Sequence, residues 1–339
     1  MKTIQIPALQ QIKVIDIPAP NKPASGEVLI RLQYVGFCGS DLNTFLGRNG
    51  MAKPQVIPGH EVGAIIEAVG EDVPETLKPG MQVTVNPYTN CGHCASCRNG
   101  RFNACQHNET LGVQRDGAMR EQMLLPWQKI IPAVGLAPKT CALIEPMSVG
   151  FHAVDRAQVT DIDTVMVIGC GMVGLGAIVR ASLRGATVIA ADIDDEKLQL
   201  AQRLGATHTV NTKTEDIHAR LSALTSGMGP DVVVEAVGSV PTYQMAVDEV
   251  AFTGRLACIG YAKADAELPT RLFVQKELDI RGSRNATPND FRAVIQYLQL
   301  GTCPVDELIT RIVKPEDCQQ AMEYWMQNPG KVFRILVEM

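Results

Sequence analysis

Four cysteines stand together in one short segment of the 339-residue chain, CGHCASCRNGRFNAC. Cys91, Cys94, Cys97 and Cys105 are separated by two, two and seven residues. Four thiolates on one glycine-containing loop can close a tetrahedron around zinc and leave no position for water. Disulfides are disfavoured because the first residues lack the apolar run of a secretory signal, which predicts a reducing compartment. The segment therefore predicts a structural zinc site.

Three further metal-binding side chains lie in two other glycine-containing segments. Cys38 belongs to GFCGSD, and His60 and Glu61 belong to PGHEVG. Three protein ligands with a fourth position left open are the arrangement of a catalytic zinc. Glu145, in IEPMSVGFHA, is a candidate fourth ligand or a hydrogen-bonding partner of the site, or simply a carboxylate at the start of a helix. These residues together predict a second zinc, one that takes part in a reaction.

A glycine motif follows the apolar segment DTVMVI and opens the next predicted helix. Gly169, Gly171 and Gly174 form G-x-G-x-x-G. The first glycine permits a tight turn, the second lets the backbone approach a pyrophosphate, and the third lets the helix pack on the strand. The helix N-terminus also offers free N–H groups to phosphate oxygens. This context predicts a dinucleotide site.

An acidic residue at the end of the next predicted strand indicates which dinucleotide binds. Asp192 closes ATVIAAD, where its carboxylate can accept hydrogen bonds from ribose hydroxyls and repel a 2′-phosphate. This predicts NAD rather than NADP, although the neighbouring Asp194 and Asp195 leave a solvated loop acid as the alternative. Lys197 is either a nucleotide contact or an exposed helix lysine. Further predicted cofactor contacts are Val173, Ile259 and Gly260.

The elements that must position these residues change in character along the chain. Short apolar runs ending at Gly or Pro, at residues 27–35, 61–69 and 82–85, predict the strands of a barrel or sandwich. From Asp163 onward, predicted strands alternate with helices, which is typical of a parallel doubly wound sheet. Two helices and a closing strand follow from Pro288.

Bulk composition narrows the class of protein. The length exceeds what a single core usually supports, so two domains are expected. A net charge of −5 gives no electrostatic reason to expect nucleic acid or an anionic membrane surface. No apolar run approaches the roughly 18 residues of a membrane span. We therefore expect a cytoplasmic enzyme or binding protein.

These motifs, taken in order, resemble the zinc-containing medium-chain alcohol dehydrogenases, and more narrowly their sorbitol and L-threonine dehydrogenase branch. The matching segments are CGSD, GHE, the cysteine segment, EP-x-SVG-x-HA and GCGMVG. The resemblance implies an α/β protein: a GroES-like β-barrel catalytic domain of residues 1–145 with 283–339, and an inserted Rossmann NAD-binding domain of residues 146–282, with the active cleft between them. It also implies a homotetramer or homodimer with two zinc ions per subunit. The catalytic zinc would be held by Cys38, His60 and Glu61, with Glu145 approaching the metal or relaying a proton.

The segment GSRNATPNDF at residues 282–291 is similar to bacterial sugar-acid dehydrogenases of the L-galactonate or L-gulonate 5-dehydrogenase type. Arg284 could hold a substrate carboxylate through its planar fork, or instead pair with NAD or a local acid; Asn285 is a second candidate. We therefore predict oxidation of a secondary hydroxyl of a sugar acid or polyol to a ketone. L-threonine 3-dehydrogenase or sorbitol/xylitol dehydrogenase is the alternative, and a non-catalytic NAD(P)H-binding protein of this fold is a more remote one.

The proton path departs from the family pattern. Ser40 matches the hydroxyl residue that begins the relay in relatives. Many relatives carry histidine three residues later, where this chain has Asn43, and a side-chain amide cannot gain or lose a proton near neutral pH. Glu145, Glu61 or an ordered water must then accept the proton, or the ribose hydroxyls of the cofactor pass it on by another path. The change also disfavours L-threonine as the substrate.

Overall fold

In a computed structural model, which describes residues 1–339, the longest strand is Glu27–Phe37, and it organises the first of two units. This unit comprises residues 1–145 and 287–339. Its strands, numbered along the whole chain, are β1 (Lys2–Ala8), β2 (Gln11–Asp16), β3 (Glu27–Phe37), β4 (Glu61–Val69), β5 (Gln82–Val85), β6 (Gln122–Pro126), β7 (Ile130–Pro132), β14 (Arg311–Val313) and β15 (Ile335–Glu338).

Seven of these strands form one mixed sheet in the order β14–β15–β3–β4–β5–β7, with β6 also paired to β3, while β1 and β2 form a separate hairpin. β3 pairs antiparallel with β4, β6 and β15. The β3–β4 register shifts at two places, and such irregularities bend a sheet. β15 therefore completes the unit from the far end of the chain, and the strands predicted at residues 27–35, 61–69 and 82–85 are present.

Short helices connect and cover this sheet. They are α1 (Gly39–Phe45), α2 (Ala95–Arg98), α3 (Pro138–Cys141), α10 (Pro288–Gln299), α11 (Val305–Leu308) and α12 (Cys318–Gln327), while α4 (Ile144–Arg156) begins in this unit and continues into the second. Single 3-10 turns occupy Phe102–Ala104, Trp127–Lys129, Pro315–Asp317 and Pro329–Lys331.

The second unit, residues 146–286, contains a six-stranded parallel sheet. Its strands are β8 (Thr164–Ile168), β9 (Thr187–Asp192), β10 (His208–Asn211), β11 (Val232–Glu235), β12 (Arg255–Cys258) and β13 (Asp279–Gly282), and its helices are α5 (Met172–Leu183), α6 (Asp195–Arg203), α7 (Ile217–Leu224), α8 (Val240–Glu249) and α9 (Thr270–Gln275). The spatial order β10–β9–β8–β11–β12–β13 is the 3-2-1-4-5-6 order of a Rossmann sheet. The doubly wound sheet predicted from the alternating pattern is confirmed.

The return to the first unit falls at residue 287, four residues after the predicted boundary at 283. The Ser283 N–H still donates to the Cys258 carbonyl at 2.8 Å, which extends the second unit. The backbone N–H of Thr287 donates to Asp290 at 2.7 Å and caps α10, so the new element begins there. No helix in the structure is long and apolar enough to cross a membrane.

Candidate metal centres and cofactor site

The ends of two neighbouring strands bring Cys38, His60 and Glu61 together. Cys38 follows β3, and His60 precedes β4, whose first residue is Glu61. The antiparallel register places Gly36 opposite Glu61, and a side chain at Gly36 would collide with the glutamate. One potential ligand atom from each of the three residues lies within 4.8 Å of the others. The pairing of β3 with β4 therefore assembles the three ligands that the sequence predicted.

The chemistry of these three side chains fits a zinc ion. His60 is 5% exposed and Glu61 is fully buried. Neither His60 Nδ1 nor either carboxylate oxygen of Glu61 has a hydrogen-bond partner. Buried polar atoms without partners are costly, and a metal ion bound by this group would remove part of that cost. Thiolate, imidazole and carboxylate are the donors that zinc accepts at catalytic sites.

The pKa values of Cys38, His60 and Glu61 depend on burial and on the charges of neighbouring groups. Burial raises the pKa of the Cys38 thiol, but the nearby His60 outweighs it and holds this pKa below its usual value. Burial disfavours protonated His60, yet attraction to Cys38 raises the imidazole pKa well above its usual value. Burial also raises the pKa of Glu61 well above the usual range, opposed in part by Arg334. A bound cation would stabilise the thiolate and the carboxylate together.

Two residues that the sequence interpretation missed support this group. The Cys38 N–H donates to Asp41 Oδ2 at 2.8 Å, and Asp41 is fully buried. Arg334, on the segment before β15, donates to the Phe37 carbonyl at 2.7 Å and lies 3.1 Å from Glu61 Oε1. Asp41 could have been found, because an acid three residues after Cys38 is a capping signal. Arg334 carries no local signal.

The structure does not bring Glu145 into the ligand group. Its carboxylate is buried in the first turn of α4 and accepts a hydrogen bond from the Tyr88 hydroxyl. Burial raises the pKa of Tyr88 well above its usual value, so this hydroxyl keeps its proton and donates. Tyr88 is a third residue that the sequence interpretation missed, and nothing in the spacing of the motifs points to it.

Ser40, the predicted start of the proton path, and Asn43, which stands where many relatives carry histidine, lie on α1. Ser40 Oγ is buried without a hydrogen-bond partner, which suits a contact with a bound substrate. Asn43 lies three residues further along the same helix and is half-buried.

The four-cysteine segment forms a separate cluster in the same unit. The Cys94 sulfur lies 3.5 Å from that of Cys97 and 3.8 Å from that of Cys105. Zinc–sulfur bonds of about 2.3 Å in a tetrahedron separate the sulfurs by about 3.8 Å. The N–H of Cys94 donates to Cys91 Sγ at 3.4 Å, and hydrogen bonds from the backbone, first that of Cys97, lower the Cys94 pKa to about 6. The cluster thus fits a closed, structural zinc site.

The glycine motif lies at the point where the strand order of the parallel sheet reverses, between β8 and β11. Gly169 has a φ of +94°, which favours glycine, and a side chain at Gly174 would collide with the Gly169 carbonyl oxygen. Gly171 is the N-cap of α5, and space lies open where its side chain would be. Val173 is in the first turn of this helix. The turn leaves room for a phosphate group at the helix N-terminus.

Asp192 lies beside this turn. Its Oδ2 accepts from the Cys170 N–H at 2.7 Å, and its Oδ1 accepts from the N–H groups of Ile193 and Asp194 at 2.7 and 3.1 Å. The carboxylate is therefore fixed at the carboxyl end of β9, next to the expected phosphate position. Lys197 is half-buried in the first turns of α6.

Three of the four remaining predicted residues, Ile259, Gly260 and Arg284, line one cavity of about 430 Å³ in the second unit. Ile259 and Gly260 follow β12, and both N–H groups donate to the Glu235 carbonyl. Arg284 is half-buried and also lines this cavity. Asn285 does not line it, and its φ of +55° is a conformation that asparagine tolerates better than most residues. The backbone conformation favours an asparagine at this position, and a substrate contact of Asn285 stays a prediction.

Comparisons with known proteins agree with these features. Residues 24–135 match the family model of the alcohol dehydrogenase GroES-like domain, and residues 173–299 match that of zinc-binding dehydrogenases. The chain is 33% identical over 316 residues to L-galactonate-5-dehydrogenase of Escherichia coli K12, covering 91% of this chain and 92% of the relative. It is also 33% identical over 347 residues to sorbitol dehydrogenase of Bacillus subtilis 168, covering 99% and 97%.

A solved structure of the RspB alcohol dehydrogenase of E. coli CFT073, complexed with NADH, is similar throughout. The TM-score is 0.90 with 29% identity, over 100% of this chain and 99% of that one. The predicted enzyme class, the combination of GroES-like and Rossmann domains, and the cofactors zinc and NAD are confirmed. The chain belongs to the zinc-containing medium-chain alcohol dehydrogenases, in the branch that its motifs indicated.

Proposed function

We propose that this enzyme uses NAD⁺ to oxidise a secondary hydroxyl of a sugar acid or polyol to a ketone, with an acid such as L-galactonate or L-gulonate as the favoured substrate. The observation that carries the proposal is the group of Cys38, His60 and Glu61, in which His60 Nδ1 and both Glu61 carboxylate oxygens are buried without a hydrogen-bond partner. Relatives named for L-galactonate and for sorbitol support a polyhydroxylated substrate.

The protein's part in the reaction is to hold the metal, to orient the substrate and to accept the proton of its hydroxyl. When bound, zinc would supply Lewis acidity that lowers the pKa of a substrate hydroxyl, and NAD⁺ would supply the hydride acceptor. Cys38, His60 and Glu61 would hold the metal, and Ser40 Oγ would accept a hydrogen bond from the substrate hydroxyl and begin the path of its proton. Asn43 cannot continue that path as a base.

Arg284 is the residue that we propose for recognition of a substrate carboxylate. It contributes to the cavity of about 430 Å³ together with Ser283 and Tyr261. A guanidinium suits a carboxylate through two parallel hydrogen bonds, which a neutral polyol cannot accept in the same way. The alternative, a sorbitol or xylitol dehydrogenase, predicts that Arg284 is dispensable.

The test is NADH formation by the zinc-loaded enzyme with L-galactonate, L-gulonate, L-idonate, sorbitol, xylitol and L-threonine. Arg284→Ala should raise KM for sugar acids selectively, and Arg284→Lys should recover part of the loss. Arg281→Ala is the matched control, because that guanidinium is held by the Arg156 carbonyl at 3.0 Å and by Gln158 at 2.7 Å. Turnover of polyols alone, indifferent to Arg284→Ala, would reject the sugar-acid assignment, and turnover of L-threonine alone would reject both substrate classes.

We also propose that the enzyme is a homodimer or homotetramer. β13 is the last strand of the parallel sheet, and β12 pairs with strands on both sides. Ile280 on β13 is 41% exposed, and Val274 on the preceding α9 is 85% exposed. An open edge with apolar neighbours is a template for pairing with a second chain.

A further inference from the structure

The carboxylate of Glu145 lies close to the metal-binding group but outside it. A side chain at Gly63, two residues after Glu61, would collide with the Pro138 carbonyl and contact the Ala142 nitrogen, so the segment that leads into Glu145 packs against the start of β4. Yet the ligand atoms that cluster within 4.8 Å come from Cys38, His60 and Glu61 alone. Glu145 is thus a nearby fourth candidate ligand that the fold holds back.

Tyr88 is the residue that holds the Glu145 carboxylate outside this group. Its side chain is 5% exposed, and its hydroxyl donates to Glu145 Oε1. Its ring packs edge-on against the fully buried Phe291, with centroids 6.4 Å apart and an angle of 73°. Its main chain is held as well, because its N–H donates to Asn86 at 3.1 Å and its carbonyl accepts from the Lys129 ammonium. The position of the hydroxyl is therefore set by contacts along the whole residue.

The position of Glu145 affects how many protein ligands a bound metal ion would have. Three protein ligands leave a coordination position for substrate, whereas four make a closed structural site. A buried carboxylate that loses a charge-assisted hydrogen bond is less well compensated, and a nearby cation can offset that loss. Removing the Tyr88 hydroxyl would therefore favour Glu145 as a fourth ligand.

We infer that Tyr88 is a positioning residue whose hydrogen bond keeps Glu145 out of the metal's ligand set and so preserves the open position that the reaction needs. The inference rests on the proposed zinc site at Cys38, His60 and Glu61. According to this inference, the Tyr88 hydroxyl determines whether the metal site keeps an open coordination position or is closed by a fourth protein ligand.

The test replaces Tyr88 with Phe, which removes the hydroxyl and keeps the ring against Phe291. Zinc affinity is measured by competition with a chromophoric chelator. In protein loaded with Co²⁺ at this site, imidazole is added while the visible spectrum is followed. Wild type should respond to imidazole, and Tyr88→Phe should bind zinc more tightly and lose the response. Adding Glu145→Gln to Tyr88→Phe should restore both wild-type behaviours.

Two outcomes would overturn the inference. Loss of a contact that merely orients a ligand typically weakens metal binding by about 10–100-fold, so weaker binding in Tyr88→Phe would assign Tyr88 that role instead. An unchanged imidazole response would show that Glu145 stays outside the ligand set without Tyr88. Tyr297→Phe, at another buried tyrosine of the same unit, controls for loss of a buried hydroxyl.

The zinc content of Cys38→Ala separates these outcomes from failure of the proposed function. If Cys38→Ala loses one zinc ion relative to wild type, the metal site stands whatever Tyr88→Phe does. If the content is unchanged, the metal site itself is refuted, and the inference about Tyr88 is refuted with it.

Discussion

The guanidinium of Arg334 lies 3.1 Å from the Glu61 carboxylate, with 5% and 0% of the two side chains exposed. The same Arg334 nitrogen donates to the Phe37 carbonyl at 2.7 Å, immediately before Cys38. One residue near the C-terminal end therefore supports both segments that supply metal ligands. Because a buried charge is costly without a partner, this pair compensates Glu61 whenever zinc does not.

Replacing Arg334 with Met should destabilise the zinc-free protein by about 3–5 kcal/mol, because the replacement leaves Glu61 buried and unpaired. The loss should be smaller in the zinc-loaded protein, where the metal takes over part of the compensation. Urea unfolding with and without zinc measures both values, and Arg334→Lys tests whether charge alone suffices. Equal losses in the two states would contradict a shared role of Arg334 and zinc.

The cysteine cluster should hold its metal independently of the proposed catalytic centre. Cys105→Ser removes a fully buried sulfur that lies 3.8 Å from Cys94. Zinc content should fall by one ion per chain, and amide hydrogen exchange should rise across residues 91–105. Cys303→Ala, a half-buried cysteine outside the cluster, should leave zinc content unchanged. A full zinc complement in Cys105→Ser would disprove a four-thiolate site.

Substitution of two glycines of the nucleotide motif should affect different properties, stability in one case and NAD binding in the other. A Cβ at Gly174 would overlap the Gly169 carbonyl oxygen, so Gly174→Ala should lower the melting temperature of the free enzyme. A Cβ at Gly171 would enter open space, so Gly171→Ala should fold normally but bind NAD more weakly, because the side chain would obstruct the pyrophosphate. Calorimetry and NADH titration of both variants check this, and normal NADH binding by Gly171→Ala would count against a pyrophosphate at that turn.

Cofactor preference should depend on Asp192 and not on its acidic neighbour. Asp192→Ser should weaken NAD⁺ binding and improve NADP⁺ binding, since the carboxylate that would repel a 2′-phosphate is gone. Asp194→Ala is the control, because Asp194 caps α6 by accepting from the Glu196 and Lys197 N–H groups. It should cost about 1 kcal/mol of stability and leave the preference unchanged. The ratio of the kcat/KM values for NAD⁺ and NADP⁺, measured in both variants, shows which of the two residues sets the cofactor preference.

The proposed oligomer can be tested at the edge of the parallel sheet. The N–H groups of Asp279 and Ser283 donate toward β12, so that of Ile280, between them, faces the open edge. Proline at position 280 removes an outward donor without breaking the existing ladder. Ile280→Pro should therefore shift the mass measured by light scattering to the monomer, while the melting profile keeps a cooperative transition. A mass equal to that of wild type would place the interface elsewhere.

Local motifs allowed several features of this protein to be predicted from its sequence. The cysteine segment, the glycine turn and Asp192 each lie within a short stretch, where spacing alone limits the geometry that the chain can adopt. The strand periodicity likewise predicted the alternating α/β sheet and the strand-rich unit, because burial on one or both faces leaves its pattern in the order of residues. Cys38, His60 and Glu61 could be grouped through the family resemblance of their motifs.

Only the tertiary structure decided how the partners of those residues are arranged. Arg334 reaches Phe37 across 297 residues of chain, and Tyr88 reaches Glu145 across 57. Such contacts depend on strand pairing and packing, which residue spacing does not encode. The sequence left Glu145 open as a ligand or a partner of the site, and the structure turned it toward Tyr88, because a buried carboxylate is stabilised by the donor that the fold places within its reach.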